Sequence, residues 1–182
     1  MSDATSPLPG DLTPRADLER IIRVDHAGEY GASRIYAGQI AVLGRGPKGD
    51  ILRHMKAQEQ VHLDTFSALV VDRRVRPTAL LPFWNIAGFA LGAVTAAMGE
   101  KAAMACTVAV EETIDEHYAA QAARLGPDEA KLVATIETFR AEELEHRDIG
   151  LDHGAEQAFA YRLLTRVIKA GCKAAITVSE KI

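Results

Sequence analysis

Cysteine is nearly missing from this 182-residue chain: it has two, Cys106 and Cys172, and no CxxC pair. Too few thiols are present for a disulfide framework or a zinc-thiolate site, which fits a reducing compartment. Both lie in apolar helical text and read as buried structural thiols. A surplus of positive charge is also missing. The formal net charge is -4, which excludes a general nucleic-acid binder. No period-2 run of β-branched residues is long enough for a strand, so the sequence predicts an all-α fold. Residues 1–14 carry three prolines and two aspartates but lack the apolar core of a secretory signal and the Arg-rich character of a transit peptide. They are expected to form a disordered arm ahead of a single domain over 15–182.

What the chain has in quantity is helix-forming text. Breaks at Gly44–Gly49, Arg76-Pro77, Gly99, Gly126-Pro127 and Asp152–Gly154 leave helices expected over about 15–43, 50–74, 79–98, 100–125, 128–150 and 154–179. Thr13-Pro14 reads as an N-cap followed by proline at the first helical position. The stretch Gly44-Arg45-Gly46-Pro47-Lys48-Gly49 matches GxGxxG, but it lies between two helices. A dinucleotide fingerprint needs a strand before it, so an interhelical turn is expected here.

An internal repeat carries the chemistry. Glu29 is followed by Tyr36-Ala37-Gly38-Gln39, and Glu111 by Tyr118-Ala119-Ala120-Gln121. Downstream, Lys56-Ala57-Gln58-Glu59-Gln60-Val61-His62-Leu63-Asp64 matches Arg140-Ala141-Glu142-Glu143-Leu144-Glu145-His146-Arg147-Asp148. Positions i and i+3 share one helix face, so Glu59 with His62, and Glu143 with His146, can grip one site. Tyrosine seven residues after each first glutamate lies about two turns along the same helix. Two helices giving one Glu each and two giving Glu-x-x-His form the ligand set of ferritin-like di-metal bundles. The expected metal ligands are therefore Glu29, Glu59, His62, Glu111, Glu143 and His146. Four carboxylates and two imidazoles suit two irons, with manganese as the alternative.

The repeat register selects Glu111 over Glu112, because only Glu111 aligns Tyr118 with Tyr36. It likewise leaves Glu142 and Glu145 facing solvent or salt-bridged. His26 and His117 are expected at ordinary polar helix positions, with an outer-sphere or substrate role as the alternative. Spacing does not say whether Asp64 and Asp148 support the site or the surface.

Residues 77–99 carry no charge and hold Leu80-Leu81-Pro82-Phe83-Trp84. Pro82, Asn85 and three glycines argue for a helix lying on a membrane face rather than a span, the alternative being a core or oligomer helix. In the last helix Arg162, Arg166, Lys169 and Lys173 form a basic stripe, either solvated or set against anionic headgroups.

Val24-Asp25-His26-Ala27-Gly28-Glu29-Tyr30-Gly31-Ala32, Glu59-Gln60-Val61-His62, Val110-Glu111-Glu112 and the run Glu142 to His153 together resemble the demethoxyubiquinone hydroxylases of ubiquinone biosynthesis. The resemblance runs from about Arg20 to the C-terminus, including Ala170-Gly171-Cys172. It implies a ferritin-like four-helix bundle with an added apolar membrane-associating helix and a C-terminal helix. It implies a di-iron monooxygenase that hydroxylates the ring of demethoxyubiquinol with O2 and electrons from NADH. The site would be the same six residues. Tyr118, about two turns from Glu111, is the candidate for relaying a proton or electron near the ring, with a core tyrosine as the alternative. The expected partners are a polyprenyl quinone, the membrane surface, a lipid-binding protein of the same pathway and a second copy of the chain. The expected location is peripheral, on the cytoplasmic face of a bacterial inner membrane. That family's last helix often has Arg and Tyr where this chain has Lys173 and Thr177.

Overall fold

The computed structural model describes residues 12–182, so most of the expected N-terminal arm lies outside the described residues. Six α-helices follow: α1 (Pro14–Leu43), α2 (Pro47–Asp72), α3 (Leu81–Ala97), α4 (Glu100–Ala122), α5 (Ala130–Asp152) and α6 (Tyr161–Ser179). Single 3-10 turns sit at Pro127–Glu129 and Ala155–Gln157, and no strand occurs among the described residues.

The ends follow local chemistry. The Thr13 hydroxyl accepts from the Ala16 amide at 3.2 Å, and Pro14 opens α1 as the sequence predicts. Helix α2 begins at Pro47, three residues early, because Gly46 at φ 75° turns the chain and proline presets the first helical residue. The GxGxxG stretch is thus an interhelical turn that runs into the first turn of α2. A Cβ at Gly49 would lie 2.2 Å from the Gly44 carbonyl oxygen, so the tightness of the turn explains the glycine. Helix α6 starts at Tyr161 rather than near 154. The intervening chain passes left-handed through Gly154 (φ 85°) and again through Ala160 (φ 54°).

Helices α1, α2, α4 and α5 form a ferritin-like four-helix bundle. Helix α3 lies against α1, and α6 lies against α4. The repeat therefore extends beyond a helix pair: α1–α3 and α4–α6 have the same arrangement. Two apolar clusters fill the bundle ends. Ile21, Ile22, Phe66, Ile136 and Phe139 lie at one end, and Leu52, Met55, Met104 and Val108 at the other. The charged residues of the repeat fall between them.

Glycine sets the seat of α3. A Cβ at Gly92 would lie 1.9 Å from the Ile35 carbonyl oxygen, and one at Gly38 would lie 2.2 Å from that of Phe89. The α1 and α3 backbones touch there, as small residues permit. The opposite face of α3 exposes Phe83, Ile86, Val94 and Met98, with Ile86 72% exposed. No helix among the described residues is long and apolar enough to cross a membrane. Helix α6 buries Thr165 and Ile168 and exposes Leu163 and Val167 beside Arg162 and Arg166. The Trp84 indole donates to Ser179 Oγ at 3.0 Å, tying the start of α3 to the end of α6. Both cysteines are free, Cys106 buried and Cys172 half-buried. Burial pushes their thiols up to about 12 and about 11, disfavouring the thiolate form.

Candidate metal centre

Helix periodicity turns Glu29 of α1 and Glu111 of α4 inward, along with the Glu-x-x-His pairs of α2 and α5. All six side chains predicted as ligands are buried, at 0 to 1% exposure. They converge in two overlapping groups: Glu29, Glu59, His62 and Glu143; and Glu59, Glu111, Glu143 and His146. In each group one ligand atom per residue lies within 4.8 Å of all the others. Glu59 and Glu143 belong to both groups.

The imidazoles are aimed by what holds their outer nitrogens. His62 Nδ1 lies 3.2 Å from Glu143 and 3.4 Å from Glu29, while its Nε2 meets Glu142 Oε2 at 2.5 Å. His146 Nδ1 lies 3.2 Å from Glu59, while its Nε2 meets Gln58 Oε1 at 3.0 Å. Both rings thus direct Nδ1 inward and Nε2–H outward. The Phe139 ring stacks on His62 at 3.9 Å and fixes its plane.

The tyrosines cross the bundle. Tyr36 on α1 donates to Glu111 on α4 at 2.6 Å, and Tyr118 on α4 donates to Glu29 on α1. Seven-residue spacing had set each tyrosine above the glutamate of its own helix; the hydroxyls bond to the opposite one. The glutamines cross in the same way. Gln121 donates to Asp25 at 2.6 Å, and Gln39 to the Ala103 carbonyl at 3.1 Å beside Thr107.

The donor set fits a pair of divalent cations. Eight buried atoms of the six residues have no hydrogen-bond partner: Glu29 Oε2, both oxygens of Glu59 and of Glu143, Glu111 Oε2, and Nδ1 of each histidine. An unpaired buried carboxylate costs several kcal/mol, whereas one hydrogen bond to a charged group returns about 1.5–3 kcal/mol. Two tyrosine hydroxyls cannot offset four such groups; two divalent cations cancel their charge. The titration pattern agrees. Burial, then neighbouring carboxylates, push Glu59 and Glu111 well above the usual range, and burial raises Glu29 as well. Burial opposes the charge of Glu143 too, but contacts from His146 and His62 outweigh it and hold Glu143 down at about 2. Burial likewise disfavours charged His62, yet Glu143 and Glu29 hold it up at about 12. Without metal, protons serve as the counter-charge.

The remaining sequence candidates separate cleanly. Glu112 turns away and pairs with Lys169 at 2.5 Å. Glu142 is salt-bridged, but to His62 of the buried cluster, which the register had not revealed. His26 is buried, and burial lowers its basicity. His117 meets Gln121 at 2.8 Å and lies 3.6 Å from Asp25, and it belongs to neither group. Asp64 accepts from Gln60 and Asp148 from Arg147, both at the surface. Lys173 pairs with Glu116 at 2.9 Å, and Thr177 bonds back to the Lys173 carbonyl.

A four-helix bundle with paired Glu and Glu-x-x-His donors, able to hold metal at its centre, defines the ferritin-like carboxylate class. Within that class the chain belongs to the family described as ubiquinone biosynthesis protein COQ7, which matches residues 16–179. It is 63% identical over 176 residues to the 3-demethoxyubiquinol 3-hydroxylase of Rhodospirillum rubrum, covering 96% of this chain and 83% of that protein. It is 58% identical over 175 residues to the mitochondrial NADPH-dependent 3-demethoxyubiquinone 3-hydroxylase of Mus musculus, covering 94% and 81%. The mitochondrial 5-demethoxyubiquinone hydroxylase of Saccharomyces cerevisiae is 44% identical over 184 residues, covering 92% and 79%. The sequence expectation of an oxidoreductase of the hydroxylase kind agrees with these names.

Proposed function

We propose that this chain is a di-iron monooxygenase that hydroxylates the ring of demethoxyubiquinol in ubiquinone biosynthesis. The observation that carries the reading is the pair of overlapping Glu/His groups sharing Glu59 and Glu143. Similarity to relatives named as hydroxylases of this substrate supplies the substrate class. Glu29, Glu59, His62, Glu111, Glu143 and His146 would hold two irons, or two manganese ions. When bound, the metal pair supplies dioxygen activation for ring hydroxylation.

The chain's own residues do the rest. Tyr36 and Tyr118 fix the carboxylates of Glu111 and Glu29 from across the bundle. Burial and then nearby carboxylates raise both phenols well above their usual range, so each keeps its proton at Oη. Tyr118 thereby holds a proton beside Glu29, the role proposed for it in relay. Phe66, Ile136 and Phe139 exclude water from one end of the site, and Leu52, Met55 and Met104 from the other. The exposed apolar faces of α3 and α6 are proposed to seat the polyprenyl tail at a bilayer surface, each buried methylene contributing about 0.8 kcal/mol. Exposed Arg162 and Arg166 flank that face and suit anionic headgroups. These exposed faces support a peripheral attachment, for which the proposed location is the cytoplasmic face of a bacterial inner membrane and the proposed companions on that face are a lipid-binding partner or a second copy of the chain. A reduced nicotinamide supplies the electrons. NADH is the expected reductant, and the mouse relative is named for NADPH.

The test is metal content and oxygen-dependent turnover in one preparation, with a short-tailed demethoxyquinone and NADH or NADPH in parallel. About two irons per chain and an added ring oxygen is the expected result. Two irons without ring hydroxylation would move the activity to another substrate.

A further inference from the structure

The twofold relation between the halves breaks at the histidines. Gln58 and Glu142 occupy the same repeat position, each directly before a cluster glutamate. Each crosses between α2 and α5 to accept the Nε2–H of the other helix's histidine: Glu142 from His62 at 2.5 Å, Gln58 from His146 at 3.0 Å. The geometry is conserved between the halves while the acceptor differs, a carboxylate on one side and a neutral amide on the other. A second departure lies on the same side. Asp25 stands four residues before Glu29, where Thr107 stands before Glu111. Asp25 meets Gln121 and His117, whereas Glu142 meets a histidine of the cluster, so Glu142 is the difference that matters.

We propose that the two metal positions are unequal by construction. The position ringed by Glu29, Glu59, His62 and Glu143 binds a divalent ion more tightly than the one ringed by Glu59, Glu111, Glu143 and His146, with Glu142 as the positioning residue that makes it so. This rests on the metal reading above. A carboxylate accepting the Nε2–H pulls that proton outward and makes Nδ1 a stronger donor; an amide oxygen fixes the ring but supplies no net charge. Loss of such a partner typically weakens metal binding 10- to 100-fold. Glu142 is 34% exposed, so solvent screens part of its charge but not the direct contact.

The experiment is an anaerobic titration of the metal-free full chain with cobalt(II), followed by its visible absorption. Helical circular dichroism reports the fold of each variant. Wild type is expected to fill in two separated steps. Glu142→Gln should weaken the tighter step about 10- to 100-fold and merge it with the weaker one. Gln58→Glu should tighten the weaker step toward the first, and it decides the matter if Glu142→Gln does not fold, since it adds a charge without removing a contact. The double exchange Gln58→Glu/Glu142→Gln should restore two separated steps. Two ions bound at one affinity in wild type, or two unmoved steps in Glu142→Gln or Gln58→Glu, would overturn the inequality alone. A chain that binds no cobalt or iron would overturn the metal reading as well, so the two failures are distinguishable.

Discussion

Glu111 and Glu112 are adjacent in the chain and have opposite fates, one in the buried cluster and the other paired with Lys169. Glu111→Ala is expected to cut bound iron from about two per chain to about one or less, because Glu111 belongs to only one of the two groups. Glu112→Ala should keep the full complement and lose no more than about 1 kcal/mol, the worth of a part-exposed ion pair. Iron analysis and a thermal melt of both variants separate the cases. His117 offers a pH test outside the six-residue cluster. Burial first, then Arg124 and Arg20, lower it to about 4, while Asp25 and Gln121 lie against it. On acidification the unfolded chain takes up this proton first, near 6.5. His117 therefore contributes its stability above pH 6.5, and that contribution is lost as pH falls toward 4. The full loss is at most roughly 3 kcal/mol. His117→Gln should flatten that limb relative to wild type, read by urea melts at several pH values between 4 and 7 on metal-free protein.

At the scale of elements, α3 does two jobs with two faces. Gly92→Ala places a Cβ against the Ile35 carbonyl, so α3 must shift off α1. It is expected to cost about 1–3 kcal/mol in a melt, as overpacking does, with bound metal unchanged because α3 supplies no ligand. Ile86→Asp on the outer face should leave the melt within about 0.5 kcal/mol and lower binding to anionic vesicles, measured by flotation. These faces also mark where the sequence was readable. The six helices were visible in the break residues, and the six cluster residues in the duplicated spacing, since period and repetition are properties of one strand of text. The three glycines of 77–99 looked like dilution of an apolar run. That Gly88 and Gly92 are a contact surface depends on α1, which periodicity cannot see. The partners of Tyr36, Tyr118 and Glu142 were hidden for the same reason, because a helix face is legible and the helix opposite it is not. The start of α6 at Tyr161 was missed because nothing in Phe159-Ala160 announces a left-handed residue.

For the whole molecule, the bundle's centre concentrates buried charge that only a counter-charge can offset. Four carboxylates meet between two apolar layers, held by protons and two phenols. Metal binding should therefore raise stability by mass action, by about 2.7 kcal/mol per site at a hundredfold excess over the dissociation constant. Removing iron with a chelator should lower the melting temperature, and adding it back should restore it. The crossed hydrogen bonds reach further still. Tyr36 serves Glu111, Tyr118 serves Glu29, Gln58 serves His146 and Glu142 serves His62. Each half has its polar needs met by the other, so a chain cut at Gly99 would yield two fragments that are each other's obligate solvent. Neither could bury its own carboxylates, yet the pair would have reason to reassemble in trans around the same centre.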